Sequence, residues 1–345
     1  MTRQGRVACV GVLIGGLLAG SVIFGRVAAY NDDGHFYTAV SVAHSRLPAF
    51  ADKGRQSAVL MMLCAQVPDL AWEFDAVSLR VRVAKSPSGW LWGGFSACRG
   101  TDVCHMVTVH HYLHALTDGD AAAATRAATR TLETLLDQGN APDFADPNRV
   151  CAAGFAVHLL GDSFAHRRLR DPTRMYAAGM GHFRDDHNPD YVLYDDDRVK
   201  DYMIYARALD SAFRSTTTES RWATLADLLK KLRADATVDN HYNETALREA
   251  LLSGLGPGAD VVEVWAPYKP TINEQTKDAG LVLSRTCKEV LEKHAPSALK
   301  AGLNCNTVWK RFKEAAVPAF KEARIEQTCP LDDAWSDGVS SPAPR

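Results

Sequence analysis

Three residues of types that bind transition metals, His158, Asp162 and His166, recur at every fourth position of one mostly apolar stretch. On an α-helix this spacing places the three side chains one above another on a single face. A carboxylate buried between imidazoles is costly unless a cation offsets its lost hydration. Imidazole and carboxylate are also donors that suit zinc. The pattern therefore predicts a metal site on one helix face.

A second cluster of the same chemistry follows closely. His182 and Asp186 are again four positions apart, and Asp190, in an Asn-Pro-Asp turn, competes with Asp186 as the carboxylate ligand. Two clusters so close together favour several metal ions over a single core histidine. Metal ions about 3.5–4 Å apart can activate a water molecule and stabilise the attacking and leaving oxygens at phosphorus. The residues therefore predict metal-assisted hydrolysis of a phosphate ester.

Helical periodicity predicts the elements that must position these ligands. The central helix is expected over 149–170, and the Asp-rich segment 195–197 is expected to start a later helix. Further helices are predicted over 55–74, 102–116, 118–138, 197–213, 220–236, 244–253, 278–294 and 306–324. No alternation typical of a strand, no internal repeat and no linker is visible. The sequence predicts one all-α, multi-helix domain over 30–329 and a flexible tail over 330–345.

The first 29 residues have the pattern of an export signal. Arg3 and Arg6 precede the uncharged run 7–24, and Val27-Ala28-Ala29 satisfies the small-residue rule for cleavage before Tyr30. The run is nearly long enough to cross a membrane, so an uncleaved anchor is the alternative. In either case we expect the body of the protein outside the cytoplasm, in the periplasm or secreted.

The composition is that of an ordinary globular protein, with 46% hydrophobic and 23% charged residues among 345. The net charge is −2, and the arginines of the first 29 residues leave the remainder more acidic still. This disfavours a protein that holds nucleic acid on a broad basic surface. It leaves open an enzyme that meets phosphates through metal ions. We expect a monomer with no stable nucleic-acid partner.

Seven cysteines follow the signal: Cys64, Cys98, Cys104, Cys151, Cys287, Cys305 and Cys329. In an oxidising compartment some of them should pair. Cys98 and Cys104 would close a small loop, and the three C-terminal cysteines could supply another disulfide. Cys64 and Cys151 lie in apolar helical contexts, where we expect them simply to be buried.

These motifs resemble those of the zinc-dependent phospholipase C and single-strand-specific nuclease superfamily, which are exported, all-helical phosphodiesterases with three clustered zinc ions. Their mature chains begin with an aromatic residue whose amino nitrogen and carbonyl bind zinc, and in the nucleases a His follows after four residues. Cleavage before Tyr30 leaves Tyr30, four residues and then His35. The resemblance thus implies that Tyr30 and His35 are zinc ligands.

The resemblance also assigns roles to the two clusters. His158 and Asp162 match the His-x-x-x-Asp pair of the family, and Asp162 would be the carboxylate that bridges two zinc ions. His166 would bind the third zinc, although the nucleases have five intervening residues where this chain has three. His182 and Asp186 match the final pair of ligands.

An early-helix aspartate of the family is matched by Asp69, which would bind zinc and help to orient the attacking water. In the family a His follows that Asp closely, before an aromatic residue. Here the histidines come only after a Trp-rich loop, and His111, followed by Tyr112, is our choice over His110 and His114.

The resemblance implies an exported zinc-dependent hydrolase of phosphate esters, with up to three zinc ions and with Asp69 and Asp162 as catalytic residues. Its substrate would be a phospholipid or a single-stranded nucleic acid, and it would touch a membrane surface only transiently. The alternative is a non-catalytic relative, stabilised by metal, that acts as a binding or structural protein.

Overall fold

The computed structural model describes residues 35, 38, 52–76, 78–79, 101–137, 146–178, 189, 191–213, 217–235, 249–251, 285–325 and 327. Helices dominate this part of the chain, which confirms the expected all-α class. The principal helices are α1 Asp52–Leu70, α2 Thr101–Tyr112, α3 Ala121–Asp137, α4 Pro147–Ala165, α5 Asp196–Ala212, α6 Glu219–Asp235, α7 Cys287–His294, α8 Pro296–Lys300 and α9 Cys305–Glu322. The predicted signal over 1–29 and tail over 330–345 lie outside the described residues.

Helix α4 lies at the centre of the fold. Helices α1, α3, α5 and α9 all pack against it, and every residue from Val150 to Ala165 is buried. This matches the sequence of α4, which is apolar or small on all sides instead of along one stripe. The helix that carries the predicted ligands is therefore inaccessible to bulk water along most of its length.

The ends of α4 are set by polar contacts. At its start Asp146 accepts a hydrogen bond from the backbone N–H of Asn148, at 3.0 Å. At its end the buried guanidinium of Arg198, from α5, donates to the carbonyls of Phe164 and Ala165, at 3.3 and 3.0 Å. These bonds satisfy carbonyls that an ending helix leaves without partners. The helix therefore ends at residue 165, and our prediction that it reaches 170 is wrong.

A short antiparallel hairpin follows α4. Its strands are β1 Arg167–Arg168 and β2 Asp171–Met175. An isolated bridge from Asp120 to Arg174 joins the hairpin to the start of α3. The sequence showed no strand here because two and five residues are too few for an alternation to be recognised.

Two disulfides tie helices together. Cys287 and Cys305 pair, as expected for a bridge among the C-terminal cysteines. Cys64 of α1 pairs with Cys151 of α4, which corrects the prediction that these two residues are merely buried. Cys104 is buried, whereas Cys98 and Cys329 lie outside the described residues. Disulfides persist in oxidising compartments, so these pairs point to an exported environment.

Among the residues that the structure describes, no helix is both long enough and apolar enough to cross a bilayer. The apolar run over 7–24 is not among those residues.

The contact between α1 and α4 is close because Gly154 has no side chain. A Cβ at Gly154 would collide with the carbonyl oxygen of Met61 and would lie 2.7 Å from Cβ of Cys64 and 2.9 Å from the backbone N of Ala65. Two of these three atoms belong to the backbone of α1, which cannot rotate away. The two helices can keep this separation only with glycine at position 154.

We expect Gly154→Ala to lower the free energy of unfolding by about 1–3 kcal/mol, the usual cost of overpacking a core. Glycine-to-alanine changes in a helix otherwise stabilise it by about 1 kcal/mol, so the sign of the effect is diagnostic. Urea unfolding followed by far-UV circular dichroism measures it. An unchanged or higher midpoint would show that α1 and α4 do not approach as described.

Candidate metal centre

The Asp162 carboxylate is fully buried at the centre of a group of histidines. Its Oδ2 atom lies 2.8 Å from Nδ1 of His114 and 3.2 Å from Nε2 of His158. Its Oδ1 atom lies 3.0 Å from Nε2 of His35. The two oxygens of one carboxylate therefore face different imidazoles, brought from three separate parts of the chain.

His158 presents a lone pair to this carboxylate. Its Nδ1 atom lies 2.9 Å from the carbonyl oxygen of Ala65, which only accepts, so Nδ1 carries the hydrogen. Burial, together with the nearby His35 and His114, lowers the pKa of His158 to about 3 against the attraction of Asp162, so the ring is neutral. Its Nε2 atom therefore has a free electron pair and faces both Oδ2 of Asp162 and, at 3.3 Å, Nδ1 of His114.

His114 is oriented in the same way. Its Nε2 atom donates to the carbonyl of Phe74 at 2.7 Å, which leaves Nδ1 directed at Asp162. Burial lowers the pKa of His114, but the hydrogen bond and charge of Asp162, with smaller contributions from Phe74 and Asp75, raise it overall. A cation, either a proton or a metal ion, is thus favoured at Nδ1, because a bare lone pair would repel the carboxylate oxygen.

His166 is held by the segment that carries His114. Its Nδ1 atom donates to the carbonyl of His114 at 2.6 Å, so Nε2 is the nitrogen left to bind a metal. Ala115 follows His114 in a left-handed conformation, with φ of 51°, a region that L-residues other than glycine rarely adopt. This turn ends the run of α2 and directs the His114 carbonyl toward His166.

His35 is packed over the ring of His158. The two ring centres lie 4.4 Å apart, and a Cβ at Gly161 would collide with Nδ1 and Cε1 of His35. Close by in sequence, the buried hydroxyl of Thr38 hydrogen-bonds that of Tyr202 on α5. His35 and Thr38 are therefore both anchored in the core, and Gly161 provides the space for the His35 ring.

The ligand candidates form two overlapping groups. His114, His158 and Asp162 form the first, and His35, Asp69 and His158 form the second. Within each group the candidate donor atoms lie within 4.8 Å of one another. Oδ2 of Asp69 lies 3.8 Å from Nδ1 of His158, at the end of α1. These buried groups are positioned to hold a metal ion.

Histidines of α2 dock on the turn that follows α1. The carbonyls of Glu73 and Ala76 each lie 2.9 Å from an Nε2 atom, of His105 and His110 respectively. Together with the bond from His114 to Phe74, three histidines bind one short turn. Our sequence analysis considered His110 and His114 as alternatives to His111, but His110, like His105, instead holds α2 in place.

His111 is not part of the centre, and our choice of it as a ligand is replaced by His114. The ring of His111 packs against Tyr112 and Phe320, with ring centres 4.7 and 5.3 Å away. His114 follows the end of α2, and the turn there leaves its Nδ1 atom 2.8 Å from Oδ2 of Asp162. The aromatic residue after His111, which guided our choice, therefore did not mark the histidine that lies beside Asp162.

The remaining predicted ligands, Tyr30, His182 and Asp186, lie outside the described residues, as does the competing Asp190. Among the described residues, the two groups contain four of the predicted ligands, His35, Asp69, His158 and Asp162, together with His114. His166 lies beside them, with its Nδ1 atom 3.6 Å from Oδ2 of Asp162, and its role as a ligand stays a prediction.

The electrostatics of the centre depend on Asp162. Burial raises the pKa of this carboxyl, but its interactions with the surrounding histidines, among them the hydrogen bond from His114, lower it well below its usual value. An ionised carboxylate with no access to water requires positive charge beside it. The donor set of imidazole nitrogens and carboxylate oxygens can supply this by binding a divalent metal ion.

Comparison with known proteins gives no further guide. No protein-family model, curated protein or solved structure matches this chain.

Replacing Gly161 with alanine should move His35 selectively. The new methyl group would occupy the position of the His35 ring, while His114, His158 and Asp162 keep their own contacts. We expect the variant to remain folded and to bind fewer metal ions per chain than the wild type. Elemental analysis after dialysis against buffered metal measures this number. Unchanged metal content would show that His35 does not contribute to binding.

Replacing either His111 or His114 with phenylalanine distinguishes which of the two histidines binds metal. Within the described residues Nε2 of His111 is buried without a hydrogen-bond partner, so His111→Phe should leave metal content intact. His114→Phe removes a donor beside Asp162 and should reduce it. The converse result would restore His111 as the ligand.

His111→Phe should also change the response of stability to acid. Burial lowers the pKa of His111 to about 4. Between that value and the ordinary value near 6.5 only the unfolded chain takes up this proton, so the wild type loses stability as the pH falls. The variant lacks this loss and should gain up to about 3 kcal/mol relative to the wild type between pH 7 and pH 4. Urea unfolding across this range measures it, and parallel curves would contradict it.

Proposed function

We propose that this protein is an exported zinc-dependent hydrolase of phosphate esters, related to the phospholipase C and single-strand-specific nuclease superfamily. The observation that carries the proposal is the buried Asp162 carboxylate, whose oxygens face His35 on one side and His114 and His158 on the other. One carboxylate between two sets of imidazoles is the arrangement that a ligand bridging two metal ions requires.

The distances among the donor atoms support zinc. Four donors around a tetrahedral ion, at bond lengths of about 2.0 Å, lie about 3.3 Å from one another. In this protein Nε2 of His158 lies 3.2 Å from Oδ2 of Asp162 and 3.3 Å from Nδ1 of His114, and Nδ1 of His114 lies 2.8 Å from the same oxygen. These three atoms therefore fit three corners of such a tetrahedron.

The hydrogen bonds of the histidines support the same conclusion. Histidines that bind metals usually donate their other ring nitrogen to a carbonyl or carboxylate, which fixes the tautomer and the ring orientation. Here His114, His158 and His166 donate to the carbonyls of Phe74, Ala65 and His114, respectively. Each of these bonds fixes which ring nitrogen faces away from the carbonyl, Nδ1 in His114 and Nε2 in His158 and His166.

Each predicted ligand would belong to one of three zinc sites. His114, His158 and Asp162 would hold one zinc, and His35 with Asp162 and the amino terminus at Tyr30 would hold a second. Asp69, which groups with His35 and His158, would complete one of these two sites. His166, with His182 and Asp186, would hold the third. Bound zinc would lower the pKa of a coordinated water to near neutrality and stabilise negative charge on phosphoryl oxygens.

The protein side chains then have defined tasks. Asp162 keeps its negative charge although it is shielded from bulk water. Its two oxygens face different sets of imidazoles and so hold the two sets of ligands one carboxylate apart. Asp69, half-buried at the end of α1, would accept a hydrogen bond from the attacking water and orient it. The buried walls around α4 keep other water away, which strengthens each electrostatic contact.

Export fits the same function. The two disulfides point to an oxidising compartment, and cleavage before Tyr30 would create the free amino group that the resemblance requires. A free α-amino group has a pKa of about 7.7–8.0, so a metal ion displaces its proton at little cost.

The proposal is tested with the mature protein beginning at Tyr30, assayed against phosphatidylcholine and against single-stranded DNA with added zinc. We expect the protein to hydrolyse one of these two substrates. We expect Asp162→Asn to lower kcat/KM at least about a hundredfold. Residues that only hydrogen-bond a metal ligand already change metal affinity or activity by about 10–100-fold, so loss of a ligand that bridges two ions should have a larger effect.

His111→Phe is the matched control, because His111 is buried in α2 yet lies outside the centre. Zinc content is measured in each variant. Bound zinc without turnover of any phosphate ester would identify the protein as a non-catalytic, metal-stabilised relative. Absence of zinc binding by the wild type would refute the proposal altogether.

A further inference from the structure

The contact line between α1 and α4 ends at the metal centre. It begins at the Cys64–Cys151 disulfide, where the Cα atoms are 5.1 Å apart. It continues at Gly154, whose missing side chain lets Cys64 and Ala65 approach. It ends where Ala65 accepts the hydrogen bond of His158. On α4 these contacts run from Cys151 to His158, whereas on α1 they all fall within the single turn from Met61 to Ala65.

The disulfide stands immediately beside the residues that orient the ligands. Cys64 directly precedes Ala65, whose carbonyl fixes the tautomer of His158, and it lies five positions before Asp69. Cys151 lies seven positions before His158, about two helical turns. Both cysteines are fully buried. The covalent bond is thus joined to ligands on both helices by short, rigid stretches of backbone.

Small relative movements of these helices would disturb the ligands. A slide of one residue along a helix is about 1.5 Å, whereas metal ligands must be held to within about 0.5 Å. At Gly154 and Ala65 the helices meet through backbone and small side chains, which offer little interlocking against a slide. Nothing else among the described residues crosslinks α1 and α4 covalently.

We propose that the Cys64–Cys151 disulfide is a positioning element of the metal centre, which fixes the register of α1 against α4 and thereby raises zinc affinity. This inference rests on the proposed function in that it requires the centre to bind zinc. It does not require any particular substrate. The disulfide acts through Ala65 and Asp69 and touches no reacting atom.

The second disulfide offers a matched control. Cys287 and Cys305 join the starts of α7 and α9, and these helices carry none of the candidate ligands within the described residues. The buried Cys287 resembles Cys64 and Cys151 in exposure. A loss of disulfides lowers stability chiefly through the unfolded chain, an effect that both pairs share but that leaves the zinc affinity of the folded state unaltered.

The experiment compares the wild type with the double variants Cys64→Ala/Cys151→Ala and Cys287→Ala/Cys305→Ala, exported with the native signal so that the remaining disulfide forms. Near-UV circular dichroism identifies a temperature at which all three are folded. Zinc affinity is then measured by competition with a chromophoric chelator. The visible spectrum of the cobalt-substituted proteins reports the geometry of the donors.

We expect the Cys64/Cys151 variant to bind zinc at least tenfold more weakly and to show an altered cobalt spectrum, as for other partners that orient metal ligands. The Cys287/Cys305 variant should match the wild type within about twofold. Equal zinc affinities and cobalt spectra in all three folded proteins would overturn the proposal. A wild type that binds no zinc would instead refute the proposed function, so the two failures are distinguishable.

A variant that refills the space of the two sulfur atoms covers the case in which the alanine pair does not fold. Cys64→Val/Cys151→Ala restores apolar volume without the covalent bond, and the same tenfold loss is expected from it. If this variant also fails to fold while the control pair folds, the disulfide supports the whole fold and not the centre, and the proposal is wrong.

Discussion

The structure depends on the burial of one ionised carboxylate. Asp162 has no exposed surface, and its pKa remains well below the usual value. Such a group is stable only where fixed positive charge and hydrogen-bond donors replace the water that it has lost. His114 donates a hydrogen bond to the carboxylate, and a metal ion held between it and the nitrogens of His35 and His158 would supply the positive charge. The packing around α4 serves to keep that arrangement in place.

Backbone carbonyls, more than side chains, set the orientation of the histidines. Ala65 holds His158, Phe74 holds His114, and the His114 carbonyl holds His166. These acceptors belong to α1, to the turn after it and to the turn that follows α2. Correct tautomers therefore require three segments to be in register at once, which couples the chemistry of the centre to the packing of the helices.

Small residues on α4 make this convergence possible. Gly154 allows α1 to approach, and Gly161 leaves room for the ring of His35. Two tyrosines of α5 complete the wall on that side: Tyr202 hydrogen-bonds Thr38, and the ring of Tyr205 lies 6.5 Å from that of His35, edge-on. At these two positions α4 has glycine instead of a bulky apolar residue, and the space this leaves is filled by groups from neighbouring segments.

Much of the helical framework followed from the sequence, because apolar periodicity and capping residues act locally. Asp195 caps the helix that begins at Asp196, as its position in an acidic run suggested. The residues at which helices end did not follow from the sequence in the same way. Helix α4 stops at Ala165 because Arg198, more than thirty residues away, binds its last carbonyls. No local pattern contains that information.

The same division holds for the centre. Spacing along one helix sufficed to predict that His158 and Asp162 share a face, since residues four apart do so wherever the helix lies, whereas His166 follows the end of α4. The choice of His114 over His111, and the pairing of Cys64 with Cys151, depended on which faces of α1, α2 and α4 meet. Local sequence determines which residues share a face of an element. Only the packing of elements against one another decides which faces come together, because those contacts join residues that are distant along the chain.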